Sequence, residues 1–179
     1  ADAGRAAGEA CGLLSWNNLA FKGKASDGAA AKRQPLTIGG GGKAFGKGLA
    51  LGLALAESAN LTRTLSETPP NIATPMWMAE QARRLANDTG MKCRVFAGQD
   101  LERERFTGLI NVGKASENKP CMIRLEYTPP KKSKQPPAVL IGKTMTYDTG
   151  GLSLKVNNGM VGMKRDKDGG CAVLGAMHA

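Results

Sequence analysis

Residues 140–170 have the sequence LIGKTMTYDTGGLSLKVNNGMVGMKRDKDGG, which places lysines and aspartates along a glycine-rich backbone. The apolar run at 138–141 leads into this stretch and predicts a short buried strand. Open α/β sheets gather their functional groups where such strands end. We therefore expect a site here, with Lys143 and Asp148 close to the end of the strand.

The flanking sequence predicts helices that alternate with strands. Apolar residues at helical spacing, with Pro and Gly at the ends, predict helices, and short runs rich in apolar residues predict strands. This alternation favours an α/β fold with a mixed, largely parallel sheet flanked by helices. The predicted helices lie within 1–20, 46–66, 74–87 and 99–105, and the predicted strands at 36–38, 93–97, 121–127 and 138–141.

Composition and charge limit the classes of function and partner that the chain can have. The chain has 179 residues, is 41% hydrophobic and carries a formal net charge of +10. No apolar run approaches the roughly 18 residues that span a bilayer, and no signal peptide is evident, so we expect a cytoplasmic protein without a membrane partner. The basic charge would suit nucleic acid, but the lysines and arginines are dispersed and no base-reading motif accompanies them. A solvated basic surface is the favoured interpretation.

Two common site types are disfavoured by spacing. The four cysteines are far apart in sequence, so a thiolate zinc site is not expected. The run from Gly41 to Lys47 resembles a phosphate-binding loop, but Gly48 stands where that loop needs a hydroxyl. Composition and spacing leave two interpretations of the lysine and aspartate at 143 and 148: a partly exposed ion pair, or part of a divalent cation site.

Four short motifs carry a more specific signal. They are NLTR at 60–63, ETPPN at 67–71, YDTGGLSLK at 147–155 and GMKRD at 162–166. In this order and at these spacings they resemble the leucyl aminopeptidase (cytosol aminopeptidase) family of two-metal exopeptidases. The resemblance implies a hydrolase that removes N-terminal, preferably apolar, residues from peptides by attack of metal-activated water.

The resemblance also implies roles for individual residues. Lys143, Asp148 and Asp166 match metal ligands, with Asp148 bridging two divalent ions (zinc, manganese or magnesium) and Lys143 binding as a neutral amine. Lys155 matches a catalytic lysine that polarises the peptide carbonyl. Met163 matches a substrate-binding residue in the pocket for the first side chain of the peptide.

Parts of the family pattern are not in this sequence. Two further ligands and the arginine that holds a bicarbonate belong to an NTDAEGR motif, which does not occur here. The resemblance therefore implies that residues 1–44 are a remnant of an amino-terminal domain and linker, and that 45–179 form an incomplete catalytic domain. We expect this chain alone to be inactive and a full-length enzyme to be a homohexamer. The alternative is a catalytically inactive structural or DNA-binding member of the family.

Lys167 and Asp168 depart from the family pattern, because they place two charges beside the predicted metal pocket. Either they alter that pocket, or both side chains point outward at the start of a helix. At a helix start, Asp168 would interact favourably with the helix dipole.

Overall fold

The protein is described by a computed structural model that covers residues 1–26, 35–131 and 134–179. Its longer helices occur where the sequence predicts them, and no helix in these ranges is long and apolar enough to cross a membrane. The elements are α1 (Asp2–Leu14), α2 (Gly42–Glu67), α3 (Pro75–Thr89), β1 (Lys92–Ala97), α4 (Gln99–Arg103), α5 (Thr107–Gly113), β2 (Cys121–Glu126) and α6 (Asp168–His178), with 3₁₀ helices at Leu19–Phe21, Gly23–Ser26 and Met163–Arg165.

The ends of α3 show how local sequence sets a helix. The Thr74 hydroxyl accepts a hydrogen bond of 3.3 Å from the Trp77 N–H, and Pro75 occupies the first helical position. Gly90 ends the helix in the left-handed conformation, with φ of 72°. Each of these residues is favoured at its position for a local reason, so the prediction of a helix at 74–87 is confirmed.

Helices α1 and α2 pack backbone to backbone through glycines. A Cβ atom on Gly8 would lie 2.4 Å from the Leu49 carbonyl oxygen, and one on Gly52 would lie 2.1 Å from the Arg5 carbonyl oxygen. Gly4, one turn before Gly8, faces the carbonyl of Phe45 in the same way. Contacts therefore advance along both helices together, and α1 runs parallel to α2.

The main core lies where α2, α3, α6 and the sheet meet. Its centre consists of Met78, Ala82 and Leu85 from α3 with Cys171 and Leu174 from α6, each at most 6% exposed. Helix α2 therefore contacts α1 and α6, while α3 contacts α6 and both strands.

The sheet differs from the prediction. β1 and β2 pair antiparallel, with Lys92 opposite Glu126 and Ala97 opposite Cys121, and they form the whole sheet in the described part of the chain. A largely parallel sheet is therefore not found there. The predicted strands at 36–38 and 138–141 are also wrong, because neither segment forms a ladder with any residue that the structure describes. Leu36 is 72% exposed and Ile141 is 92% exposed, so neither segment is covered by a second layer.

Candidate metal centre

The segment that carries Lys143 lies directly on the start of α6. The Gly170 N–H donates a hydrogen bond of 2.7 Å to the Lys143 carbonyl oxygen. A Cβ atom on Gly142 would lie 2.3 Å from the Gly169 carbonyl oxygen, so only glycine permits this approach. The close contact brings Lys143 to Asp166, which lies two residues before the start of α6.

Two ion pairs form the candidate site. The Lys143 ammonium lies 2.8 Å from Asp166 Oδ1, and the Lys155 ammonium lies 3.1 Å from Asp148 Oδ2. The hydrogen bond with Asp166 and, to a smaller extent, the charge of Asp148 raise the pKa of Lys143. The two ion pairs are therefore close enough to interact electrostatically. We call these residues, Lys143, Asp148, Lys155 and Asp166, the four-charge cluster. The structure thus brings together four of the five predicted site residues.

A tight turn after Asp148 fixes its carboxylate. The Gly150 N–H donates a hydrogen bond of 2.9 Å to Asp148 Oδ1, and this bond, followed by the one from Lys155, lowers the pKa of Asp148. Gly150 has φ of 89°, and a Cβ atom there would lie 2.3 Å from the Ser153 carbonyl oxygen. Asp148 is therefore a preorganised anion at neutral pH.

Lys143 and Asp166, which form the other ion pair, differ in their surroundings. The hydrogen bond with Asp166 is the main cause that raises the pKa of Lys143, so without metal this lysine is an ammonium. The Asp166 side chain is only 21% exposed, and its Oδ2 atom is buried without a hydrogen-bond partner among the described residues. A buried carboxylate oxygen without a partner is costly, and coordination to a cation would satisfy it.

The donors in this cluster fit a metal position only partly. Carboxylate oxygens suit divalent ions such as Mn²⁺ and Mg²⁺, and a deprotonated lysine amine could add a nitrogen ligand. In residues 1–26, 35–131 and 134–179, however, no three His, Cys, Asp or Glu side chains come together. The cluster therefore fits as part of a metal centre that needs further ligands.

The fifth predicted site residue, Met163, and the two charged residues that depart from the family pattern lie near the start of α6. Met163 is half-buried and begins the 3₁₀ helix that leads to Asp166. Asp168 is exposed, as one interpretation of the sequence required, and its carboxylate accepts a hydrogen bond of 2.6 Å from the Ser66 hydroxyl. Lys167 does not point outward. It is fully buried, and its ammonium donates hydrogen bonds to the carbonyl oxygens of Ser66, at 2.7 Å, and Lys164.

No role was predicted for Glu67 from the sequence. In the structure, its side chain contacts the two residues that come directly before Asp166. Its carboxylate accepts hydrogen bonds from Lys164, at 2.8 Å, and from Arg165, and the bond from Lys164 is the main cause that lowers its pKa. Glu67 is the last residue of α2, where the helix dipole disfavours a negative charge. The Lys164 and Arg165 side chains offset this unfavourable position.

The catalytic-domain model of the cytosol aminopeptidase family matches residues 60–179, which is more than half of the chain. The chain belongs to the cytosol aminopeptidase family. This membership confirms the resemblance carried by the four sequence motifs and places the chain among the peptidases. The family match includes every residue of the four-charge cluster.

Individual family members extend the comparison. The probable cytosol aminopeptidases of Acidobacterium capsulatum and Aquifex aeolicus are each 41% identical to this chain, over 132 and 133 residues. These alignments include 74% of this chain but only 26% and 27% of the relatives. The chain thus spans about a quarter of the length of these curated cytosol aminopeptidases.

Solved structures of family members share the fold. The bottromycin maturation enzyme BotP in complex with Mn superposes with a TM-score of 0.79 at 32% identity, covering 98% of this chain and 35% of that enzyme. The cytosol aminopeptidase of Coxiella burnetii gives a TM-score of 0.75 at 28% identity, with 97% and 35% coverage. Because these superpositions cover nearly the whole chain, α1 is part of the fold that it shares with them.

Proposed function

We propose that this chain carries part of the active site of a metal-dependent leucyl aminopeptidase, which removes N-terminal, preferably apolar, residues from peptides. The four-charge cluster is the observation that carries the proposal, because the family's catalytic-domain match contains it and one carboxylate oxygen in it is buried and unpartnered. No observation favours the alternative of a structural or DNA-binding protein.

In this proposal Lys143, Asp148 and Asp166 hold divalent metal, with Asp148 shared between two ions. Manganese is supported by the relative whose structure contains Mn, and zinc and magnesium remain alternatives. Divalent ions at this position would supply Lewis acidity and an activated water. Lys143 must release its proton before its nitrogen can act as a ligand, and neighbouring cations favour that loss.

In this proposal, Lys155 and Met163 contact the peptide substrate. The Lys155 side chain is 29% exposed, and its charge would stabilise the negative oxygen that develops on the scissile carbonyl. Met163 is half-buried, and its thioether suits contact with an apolar first side chain. Together they would place the free N-terminal residue of a peptide beside the cluster.

The complete enzyme needs more than the cluster supplies. Two more carboxylate ligands and a bicarbonate are expected from the NTDAEGR motif, which this sequence lacks. We therefore propose that the 179-residue chain binds metal weakly and does not hydrolyse leucine anilides. A cytoplasmic location and a homohexameric assembly are proposed for the complete enzyme.

The first test is Mn²⁺ binding, measured from the free-ion electron paramagnetic resonance signal during titration of the purified chain. Asp166→Asn preserves the size of the side chain and removes one anionic ligand. Asp168→Asn is the matched control, because it removes the same charge two residues away on an exposed side chain. We expect Asp166→Asn to weaken binding at least tenfold and Asp168→Asn to change it less than twofold. Equal effects of the two substitutions would exclude Asp166 as a ligand.

A further inference from the structure

Side-chain contacts connect the turn before Asp166 to the end of α2. The 3₁₀ helix Met163–Arg165 immediately precedes Asp166, and its Lys164 and Arg165 side chains both bind the Glu67 carboxylate. The Glu67 side chain is 15% exposed, whereas that of Arg165 is 56% exposed. One enclosed carboxylate therefore holds the two residues that come directly before the proposed ligand.

A second contact involves Lys167, the residue that follows Asp166. The buried Lys167 ammonium donates a hydrogen bond of 2.7 Å to the Ser66 carbonyl oxygen, at the same end of α2. The Asp166 N–H itself donates a bond of 3.2 Å to the Met163 carbonyl oxygen within the turn. The backbone on both sides of Asp166 is thus tied to residues 66–67.

The docking of α6 on α2 does not depend on Glu67. Farther along the two helices, the Thr62 hydroxyl lies 3.3 Å from the Cys171 carbonyl oxygen, and Ser58 Oγ lies 2.8 Å from His178 Nδ1. These contacts would remain if the Glu67 carboxylate were lost. The contacts of the Glu67 carboxylate are therefore confined to the turn before Asp166.

We propose that Glu67 is a positioning residue for the metal centre: it holds Lys164 and Arg165, and through them it fixes Asp166 against the four-charge cluster. This inference rests on the proposed metal role of Asp166. Residues behind metal ligands orient them, and their loss costs about 10- to 100-fold in metal affinity. It also explains why α2 ends in an acidic residue that its own dipole disfavours.

The experiment compares Glu67→Gln with Glu80→Gln in the whole chain. Glu80 is a matched control, because its carboxylate also contacts two basic side chains, Arg83 and Arg84, but lies on the exposed face of α3. Glu67→Asp retains the charge and tests rescue. Two quantities are measured: the Kd for Mn²⁺, and the hydrogen-exchange rate of the Asp166 amide without metal.

We expect Glu67→Gln to raise the Kd about tenfold and to accelerate exchange of the Asp166 amide about tenfold more than exchange of the amides of α3 and α6. Glu80→Gln should change both quantities less than twofold, and Glu67→Asp should restore part of the loss. A merely stabilising role for Glu67 would instead accelerate exchange by the same factor at Asp166 and throughout α2 and α6.

The outcomes separate this inference from the proposed function. If the native chain binds Mn²⁺ independently of Asp166, the metal proposal fails, and with it the metal role of Glu67. If the native chain binds Mn²⁺ through Asp166 but Glu67→Gln binds it equally well, only the positioning role is overturned. An unchanged exchange rate at Asp166 in Glu67→Gln overturns that role with or without metal.

Discussion

The Lys143 ammonium and Asp166 Oδ1 lie 2.8 Å apart, so the lysine neutralises one of the carboxylates that we assign to metal. Lys155 neutralises the other, Asp148, at 3.1 Å. Without metal, the site is thus held together by its own lysines. A divalent ion must displace both ammonium groups, and the two lysines are expected to respond differently, because only Lys143 is a proposed ligand.

Replacing each lysine by methionine separates a ligand from a counter-ion. Lys143→Met removes a nitrogen donor and should weaken Mn²⁺ binding by about tenfold or more, as expected for loss of a ligand. Lys155→Met removes only a competing charge beside Asp148, so it should leave Mn²⁺ affinity unchanged or increase it. Equilibrium dialysis with elemental analysis measures both values.

The two substitutions are matched, because each deletes one ammonium that pairs with a carboxylate of the same cluster. If both variants bind Mn²⁺ more tightly than the native chain, Lys143 is a counter-ion and its ligand role is wrong. In an active full-length enzyme, Lys155→Met should lower turnover while metal content is retained.

Acid should remove the stabilisation that Glu67 provides. Hydrogen bonds and charges from Lys164 and Arg165 lower the pKa of Glu67 in the folded protein. A carboxylate with a lowered pKa stabilises the fold above its unfolded pKa, about 4.3 for Glu, and this contribution is lost as the pH falls through the folded pKa. Glu67→Gln should therefore cost about 1 to 2 kcal/mol at pH 7, since one partner is exposed, and much less near pH 2.

Urea unfolding of both proteins at a series of pH values measures this difference. Glu80→Gln supplies the control, because its exposed ion pairs are worth little at any pH. A difference between the native chain and Glu67→Gln that stays constant from pH 7 to pH 2 would contradict the assigned hydrogen bonds.

The parts of the fold that sequence predicted well are those set by local chemistry. Thr74, Pro75 and Gly90 act within a few residues of themselves, and the helix that they limit was predicted. A strand is different, because its stability comes from neighbours. The apolar residues at 138–141 have the composition of a strand, but no described segment pairs with them, and Ile141 is 92% exposed.

The same contrast between local and long-range determinants holds for the site. The family resemblance implied Lys143, Asp148, Lys155 and Asp166, and the structure brings these four side chains together. Their support was not predictable in detail, because the contact of Glu67 with Lys164 joins residues 97 positions apart. Only the packing of α6 on α2 creates this contact, and no local pattern encodes that packing.

Lys167 tests whether a buried charge contributes to stability. Burial lowers the pKa of its ammonium, whose cost is offset by hydrogen bonds to the carbonyl oxygens of Ser66 and Lys164. Methionine fills a similar volume without a charge, so Lys167→Met should lie within about 1 kcal/mol of the native chain. Lys167→Ala leaves a cavity and should lose about 2 to 4 kcal/mol. Chemical unfolding that shows equal losses would indicate that the charge, rather than the volume, is essential.

The contact between α1 and α2 predicts opposite effects for the same substitution at two glycines of α2. Alanine at an unhindered helical glycine stabilises a protein by about 0.5 to 1 kcal/mol. Gly46 has no atom within 4 Å of an added Cβ, so Gly46→Ala should raise the midpoint of thermal unfolding. At Gly52 the added Cβ would lie 2.1 Å from the Arg5 carbonyl oxygen, a backbone atom that cannot move without displacing α1.

Gly52→Ala should therefore lower stability by about 1 to 3 kcal/mol, as expected for overpacking. Circular dichroism during thermal unfolding measures both variants, and Gly46→Ala controls for helix propensity, because both substitutions lie within α2. If Gly52→Ala is as stable as Gly46→Ala, α1 does not pack on α2 as described. If the two variants differ as expected, α1 is an integral part of the catalytic-domain fold, although the family match begins only at residue 60.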